Sequence, residues 1–216
     1  MQTLHTLIYI SYFSACIPLF LTLSDVKKLK EPIIALLNIL IFVAACSDLI
    51  SYILIQKHQS SILVTNIYFI AQLLLLNYIF TLLLPNKKFV YTGALLFVLF
   101  TFYISLNIQG FAEYQSWTRT TGGVILLTYS VLYYRQLLIT LPAQNISQYA
   151  PFWINTAVSL YFSFNLFLFI IANYVFTNLP ADAGMLVWGF HNVNNILKNI
   201  LFAVGIYYAG KKQEGL

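Results

Sequence analysis

The chain has 216 residues, of which 60% are hydrophobic and only 8% charged, with a formal net charge of +5. Soluble domains are about one-quarter charged, so this composition excludes one, and the apolar residues fall in long runs rather than helix-period stripes. The basic residues sit in short breaks between those runs and form no patch with interleaved aromatics, which excludes nucleic acid as a partner and makes them reporters of topology.

A membrane-spanning helix needs about 20 mainly apolar residues, and that length divides the chain into seven. The first runs over 4–23, starting almost at Met1 without a basic leader or a small-residue cleavage pattern. It is expected to persist as a helix rather than to be removed as a signal peptide. The charged turn SDVKKLKEP follows, and Pro32 opens the second span, 32–55, at a first-turn position where proline is tolerated. After QKHQSS comes the third, 62–84, stopped by PNKK, and then the fourth, 89–108, followed by the longest expected outer loop, QGFAEYQSW. The last three cover 120–140, 152–176 and 184–208.

Short connections make neighbouring helices antiparallel, so the expectation is an all-α membrane protein, one domain over 1–216 folded as a single bundle of seven transmembrane helices. One side receives Lys27, Lys28, Lys30, Lys87, Lys88, Arg135, Lys211 and Lys212, and the other only Lys57 and Arg119. The positive-inside rule places the amino terminus outside and the carboxyl terminus in the cytoplasm, as in a multi-pass protein of the cell inner membrane, embedded in membrane lipid. Cys16 and Cys46, halfway along apolar runs, read as small buried hydrophobes. Gly122 and Gly123 read as a close-packing or dimer feature. Two sets of three spans around a linking fourth would accommodate an internal repeat, with Pro32 and Pro151 each opening a central helix.

The seventh span, GMLVWGFHNVNNILKNILFAVGIYY, is long enough to cross a bilayer yet carries His191, Asn192, Asn194, Asn195, Lys198 and Asn199. Polar groups at membrane depth are expensive and face a protein interior or a watery cavity. At 100° per residue, His191, Asn195 and Lys198 fall within about 40° of one another, with Asn194 on the flank. They read either as a packing seam of interhelical hydrogen bonds or as a pocket for an unidentified small ligand or ion. Asp48, the one carboxylate inside an apolar run, is placed at nearly the depth of His191 and could pair with it or, less directly, with Lys198. Gln72, Asn77 and Asn165 sit near mid-span and could line the same cavity.

Enzyme signatures are missing. There are three histidines, His5, His58 and His191, with no HxxxH pair, and zinc chemistry needs at least three ligands around an open position. No GxSxG elbow, phosphate loop or paired catalytic carboxylate occurs. Retinal-binding rhodopsins use a lysine in their last helix to form a Schiff base, but the third span here offers no counterion, and the residue one turn before Lys198 is Asn194. The expectation is a non-enzyme with no cofactor and no metal.

The stretches PFWINTAVSLYFSFNLFLFIIANYVF and WGFHNVNNILKNILFAVGIYY resemble a group of uncharacterised bacterial seven-helix integral membrane proteins associated with sensor histidine kinase genes. Where that group tends to hold an acidic residue after IY, this chain has Gln72. The resemblance implies a sensory role. The expected function is a sensor or receptor-like protein for signal transduction, reading a ligand with Asp48, Gln72, Asn77, Asn165, His191, Asn194, Asn195 and Lys198. Its short tail would pass the signal to a histidine kinase, to another membrane protein, or through a homodimer. The alternative is a small secondary transporter using the same pocket, with a polar path past Lys198 toward Asn155, Asn77 and Arg135.

Overall fold

The computed structural model describes the backbone of residues 2–143 and 145–210, and the side chains of 6–143, 145–180 and 182–210. The lysine pair at 211 and 212 and the side chain of His5 lie outside the described residues. The helices are α1 (Gln2–Ser14), α2 (Cys16–Leu23), α3 (Pro32–Gln56), α4 (Ile62–Leu83), α5 (Lys87–Asn107), α6 (Ser116–Thr140), α7 (Ala150–Asn178) and α8 (Ala181–Tyr208), with short 3-10 turns at Val26–Lys30 and Ile146–Gln148. No strand occurs among the described residues.

Among the described residues six stretches are long and apolar enough to cross a membrane: Thr6–Leu23, which joins α1 to α2, and then α3 to α7. The chain is a multi-pass, all-helical membrane protein. With 28 residues, α8 would measure about 42 Å at 1.5 Å per residue, against a hydrocarbon core of about 30 Å. Its polar residues, not its length, keep it out of the apolar set.

Several boundaries differ from expectation for local reasons. The first span is two helices meeting at Ala15 rather than one. Pro18 has no N–H to return to the carbonyl of Ser14 four residues back, which breaks the ladder there. A side-chain bond from Ser14 Oγ to Ser11 O, 2.6 Å, adds a local tie at the same turn. α5 starts at Lys87 because Asn86 Oδ1 caps it, accepting from Phe89 N at 3.1 Å. α6 starts at Ser116 instead of 120, which moves Arg119 out of the loop and into the first helical turn. α8 begins at Ala181 with Asp182 in its first turn, where a carboxylate complements the helix dipole.

The most extensive interfaces join α7 to α8 and to α6, and α8 is also covered by α1 and α2. On the other side α3 packs along α4, and α4 against α5 and α6. Among the described residues, α3 has no extended interface with α1 or α8. The gap between α4 and α7 is crossed by aromatic side chains: Phe69 meets Phe162 and Phe169 edge to face, with ring centroids 6.4 and 5.9 Å apart. The two α6 glycines serve this packing. A Cβ on Gly122 would overlap Leu73 of α4 and approach Phe69 and Phe97 to 3.1 Å, and one on Gly123 would meet Leu166 of α7 at 3.3 Å. The cysteines depart from the expected burial: Cys16 is exposed on the outer face and Cys46 only half-buried.

The glycine geometry sets a stability prediction. Gly122→Val is expected to cost about 1–3 kcal/mol through overpacking, measured as a lowered unfolding midpoint in detergent, while Gly123→Ala costs clearly less. Equal effects at the two positions would contradict the packing described.

Candidate functional site

The polar residues of α8 are divided between two neighbours. Toward α1, Asn195 Nδ2 donates to Ser11 Oγ at 3.0 Å and Asn199 Nδ2 donates to Ser14 Oγ at 2.7 Å. Both serines and Asn199 are buried. Toward α7, His191 Nδ1 lies 2.9 Å from Asn165 Oδ1, and Asn165 Nδ2 donates to Tyr161 O at 2.8 Å. The imidazole is boxed by rings: Trp188 stacks on it at 4.9 Å, and Tyr161 meets it edge-on at 5.8 Å. Asn192 bonds back to Trp188 O. A large part of the α8 polar face is thus an interhelical seam, as one of the two sequence readings has it.

Lys198 is different. It is 5% exposed, and among the described residues its one close partner is the Tyr161 ring, whose centroid lies 4.5 Å from Nζ. A cation–π contact contributes about 0.5–2 kcal/mol, less than the several kcal/mol that a buried ammonium loses on leaving water. The one carboxylate inside an apolar run is Asp48. Lys198 and Asp48 make no ion pair, and His191 is bonded to Asn165 instead of Asp48. Beside Lys198, Asn194 is buried with no acceptor for its Nδ2.

Asp48 is half-buried on α3, where α3 and α1 diverge. Between them lies a groove of about 470 Å³ whose walls include Tyr9, Tyr12, Phe13, Cys16 and Tyr52, with Asp48 on its lining. Phe13 and Tyr52 are exposed on the outer face of the bundle, so the groove opens sideways.

The remaining expected residues lie deeper. Gln72 and Asn77 on α4 are buried, and Gln72 Oε1 and Asn77 Oδ1 meet no donor; Asn77 Nδ2 bonds to Leu73 O one turn back. Asn155 on α7 reaches Ser130 O at 3.3 Å but leaves its own Oδ1 unpartnered. Arg135 is exposed at the far end of α6. The structure therefore brings Asn165, His191, Asn194, Asn195 and Lys198 around one stretch of α8 and sets Asp48 in the groove. Among the described residues, Gln72 and Asn77 form no hydrogen bond with the α8 residues.

Sequence reasoning treated Arg119 as a loop charge, yet it is buried to 5% exposure. Its Nη2 donates to Asn66 Oδ1 at 3.1 Å, and its guanidinium lies 4.5 and 5.1 Å from the ring centres of Tyr114 and Phe69. Asn66 in turn donates to Phe111 O and Glu113 O, at 2.9 and 2.8 Å, and pins the α5–α6 loop. Burial holds the Tyr114 phenol above its ordinary range, and the Arg119 charge pulls the other way. The available signal was Asn66, which sits in the third span at the same membrane side as Arg119. No family model, curated protein or solved structure matches this chain.

The α1–α8 seam can be measured. A double-mutant cycle of Ser14→Ala and Asn199→Ala, followed by unfolding in mixed micelles, is expected to give a coupling of about 0.6 kcal/mol, in the range of buried interhelical bonds in membranes. A coupling of zero would remove this bond from the seam.

Proposed function

We propose that the protein is a seven-span receptor-like sensor of the cell inner membrane, with its amino terminus outside. Its ligand enters sideways between α1 and α3 and is read by Asp48, Asn195 and Lys198. The observation that carries this reading is the groove: an aromatic-walled cavity of about 470 Å³ reaches Asp48, and Lys198 is buried with only a ring for a partner among the described residues. Pockets for small molecules combine mostly apolar walls with a few convergent polar groups, and a ligand that bridges Asp48 and Lys198 would supply the contacts that neither gives the other.

A seventh crossing by α8 is supported at both of its ends. Trp188, near its start, shares a cavity with Ser61 and Glu113 from the α3–α4 and α5–α6 loops. At the other end, a Cβ on Gly210 would lie 3.9 Å from Glu31 Oε1 and Lys28 Cγ. α8 thus reaches from the lysine-poor end of the bundle to the lysine-rich end. The lysine-rich end is cytoplasmic under the positive-inside rule.

A sensor also needs two arrangements that the ligand distinguishes. α1 is the candidate moving part. It forms one wall of the groove, it is tied to α8 through Ser11 and Ser14, and the break at Ala15 lets it tilt without moving α2. The signal would pass at the cytoplasmic end to a separate histidine kinase, another membrane protein or a second copy. The second reading, a small secondary transporter, draws on the unpartnered oxygens of Asn77 and Asn155, which would hydrate a path toward Arg135.

Reconstitution separates the two. With a panel of amphiphiles carrying hydrogen-bonding or zwitterionic heads, stabilisation against heat without uptake is expected, and Asp48→Asn and Lys198→Met each weaken it about tenfold, as loss of a charged hydrogen bond should. Uptake across the bilayer would establish transport. Stabilisation that both variants leave intact would return the α8 face to a purely structural seam.

A further inference from the structure

Arg119 stands apart from the groove between α1 and α3. A guanidinium carries five N–H donors, and here one bond is made among the described residues, from Nη2 to Asn66 Oδ1 at 3.1 Å. Nε is buried with no acceptor. No carboxylate pairs with the side chain among the described residues. Phe69 and Tyr114 offer ring faces at 5.1 and 4.5 Å, but cation–π attraction offsets only part of the desolvation of a buried charge. Asn66 cannot neutralise it either, because its amide carries no charge; its two bonds to the loop carbonyls of Phe111 and Glu113 only fix its oxygen toward the guanidinium.

Arg119 is 5% exposed, so its single positive charge is held in the interior without a paired carboxylate among the described residues.

Outside Tyr114 lies a vestibule of about 630 Å³ whose lining includes Ser61, Thr65, Glu113, Tyr114, Asn173 and Trp188. Its floor is a run of rings: Tyr114 meets Phe176 at 5.3 Å, and Phe176 meets Trp188 at 6.4 Å. Tyr114 thus has the vestibule on one side and the guanidinium on the other.

We infer that Arg119 is an anion-binding residue that recognises a monocarboxylate with an apolar or aromatic body, admitted from the vestibule past Tyr114. The two carboxylate oxygens take Nε and a neighbouring Nη, the planar fork for which arginine is suited. The body of the ligand packs against Tyr114 and Trp188. A monoanion fits better than phosphate for two reasons: a single charge is uncompensated, and Glu113 on the vestibule wall repels a dianion. This site does not rest on the receptor reading and survives its failure.

The test uses the full chain in detergent at constant ionic strength, with benzoate, its neutral analogue benzamide, and inorganic phosphate as probes. Thermal unfolding and tryptophan fluorescence follow binding. Benzoate is expected to stabilise the protein saturably, while benzamide and phosphate do not. Arg119→Lys, which keeps the charge but loses the fork, weakens benzoate about tenfold or more. Asn66→Asp places a carboxylate on the guanidinium from within and abolishes the effect. The proposal is overturned if benzamide matches benzoate, if the unmodified protein shows no saturable benzoate effect, or if a folded Arg119→Lys binds benzoate undiminished. Should both variants fail to fold, the contrast between benzoate and benzamide on the unmodified protein decides alone.

Discussion

Lys198 lies on a helix whose neighbouring turns carry Asn194, Asn195 and Asn199, and lipid tails offer none of these groups a hydrogen-bond partner. Exposing that face to hydrocarbon would leave several polar groups unsatisfied at a few kcal/mol each. The rest of the bundle is arranged so that this does not happen. α7 covers one flank of α8 with Asn165 and Tyr161, α1 covers the other with Ser11 and Ser14, and Phe13, Phe20 and Phe167 are left to face outward. Because apolar burial does not drive helices together in lipid, the matched polar pairs and the close approach at Gly122 carry the specificity of the packing.

Two kinds of buried polar group result, and they have different meanings. Asn195, Asn199, Asn165 and His191 have partners at 2.7–3.0 Å and fix which helix lies beside which. Lys198, Asn194 and Arg119 are buried, at 4–5% exposure, but retain unused donors or an unmatched charge. A satisfied network rigidifies, whereas an unsatisfied group in a low-dielectric interior is costly to keep. Tyr114, stacked on Arg119, lines one cavity and Asp48 lines the other, while the satisfied groups lie in the seam between helices.

Much of the architecture was legible in the sequence because membrane thickness imposes a length on every apolar run. The all-helical, multi-pass character and the polar character of α8 followed directly, and so did the approximate ends of α3 and α4. Other features depend on information that hydropathy lacks. The break at Ala15 follows from a missing N–H at Pro18, which leaves the apolar count unchanged. Arg119 was assigned to a loop because the hydrophobic run starts after it, while the helix itself starts at Ser116. Asp48 and His191 were matched by depth along their helices, but depth does not fix rotation or neighbourhood: α3 leans on α4, and His191 found its partner on α7. Cys16 was read as buried because its run is apolar, although in a membrane protein apolar faces point outward as readily as inward.

The seam between α1 and α8 joins residues 184 and 185 positions apart. In a chain inserted into the membrane as it is synthesised, α1 arrives long before α8. Until then Ser14 has its own helix to turn to, since its hydroxyl donates to Ser11 O, whereas Ser11 has no side-chain acceptor or donor on α7 or α3 to take the place of Asn195. Before α8 arrives, α1 lacks the helix with which it makes its most extensive interface. The seam closes only when α8 has entered, so the first helix is completed by a segment whose polar residues keep it out of the apolar set.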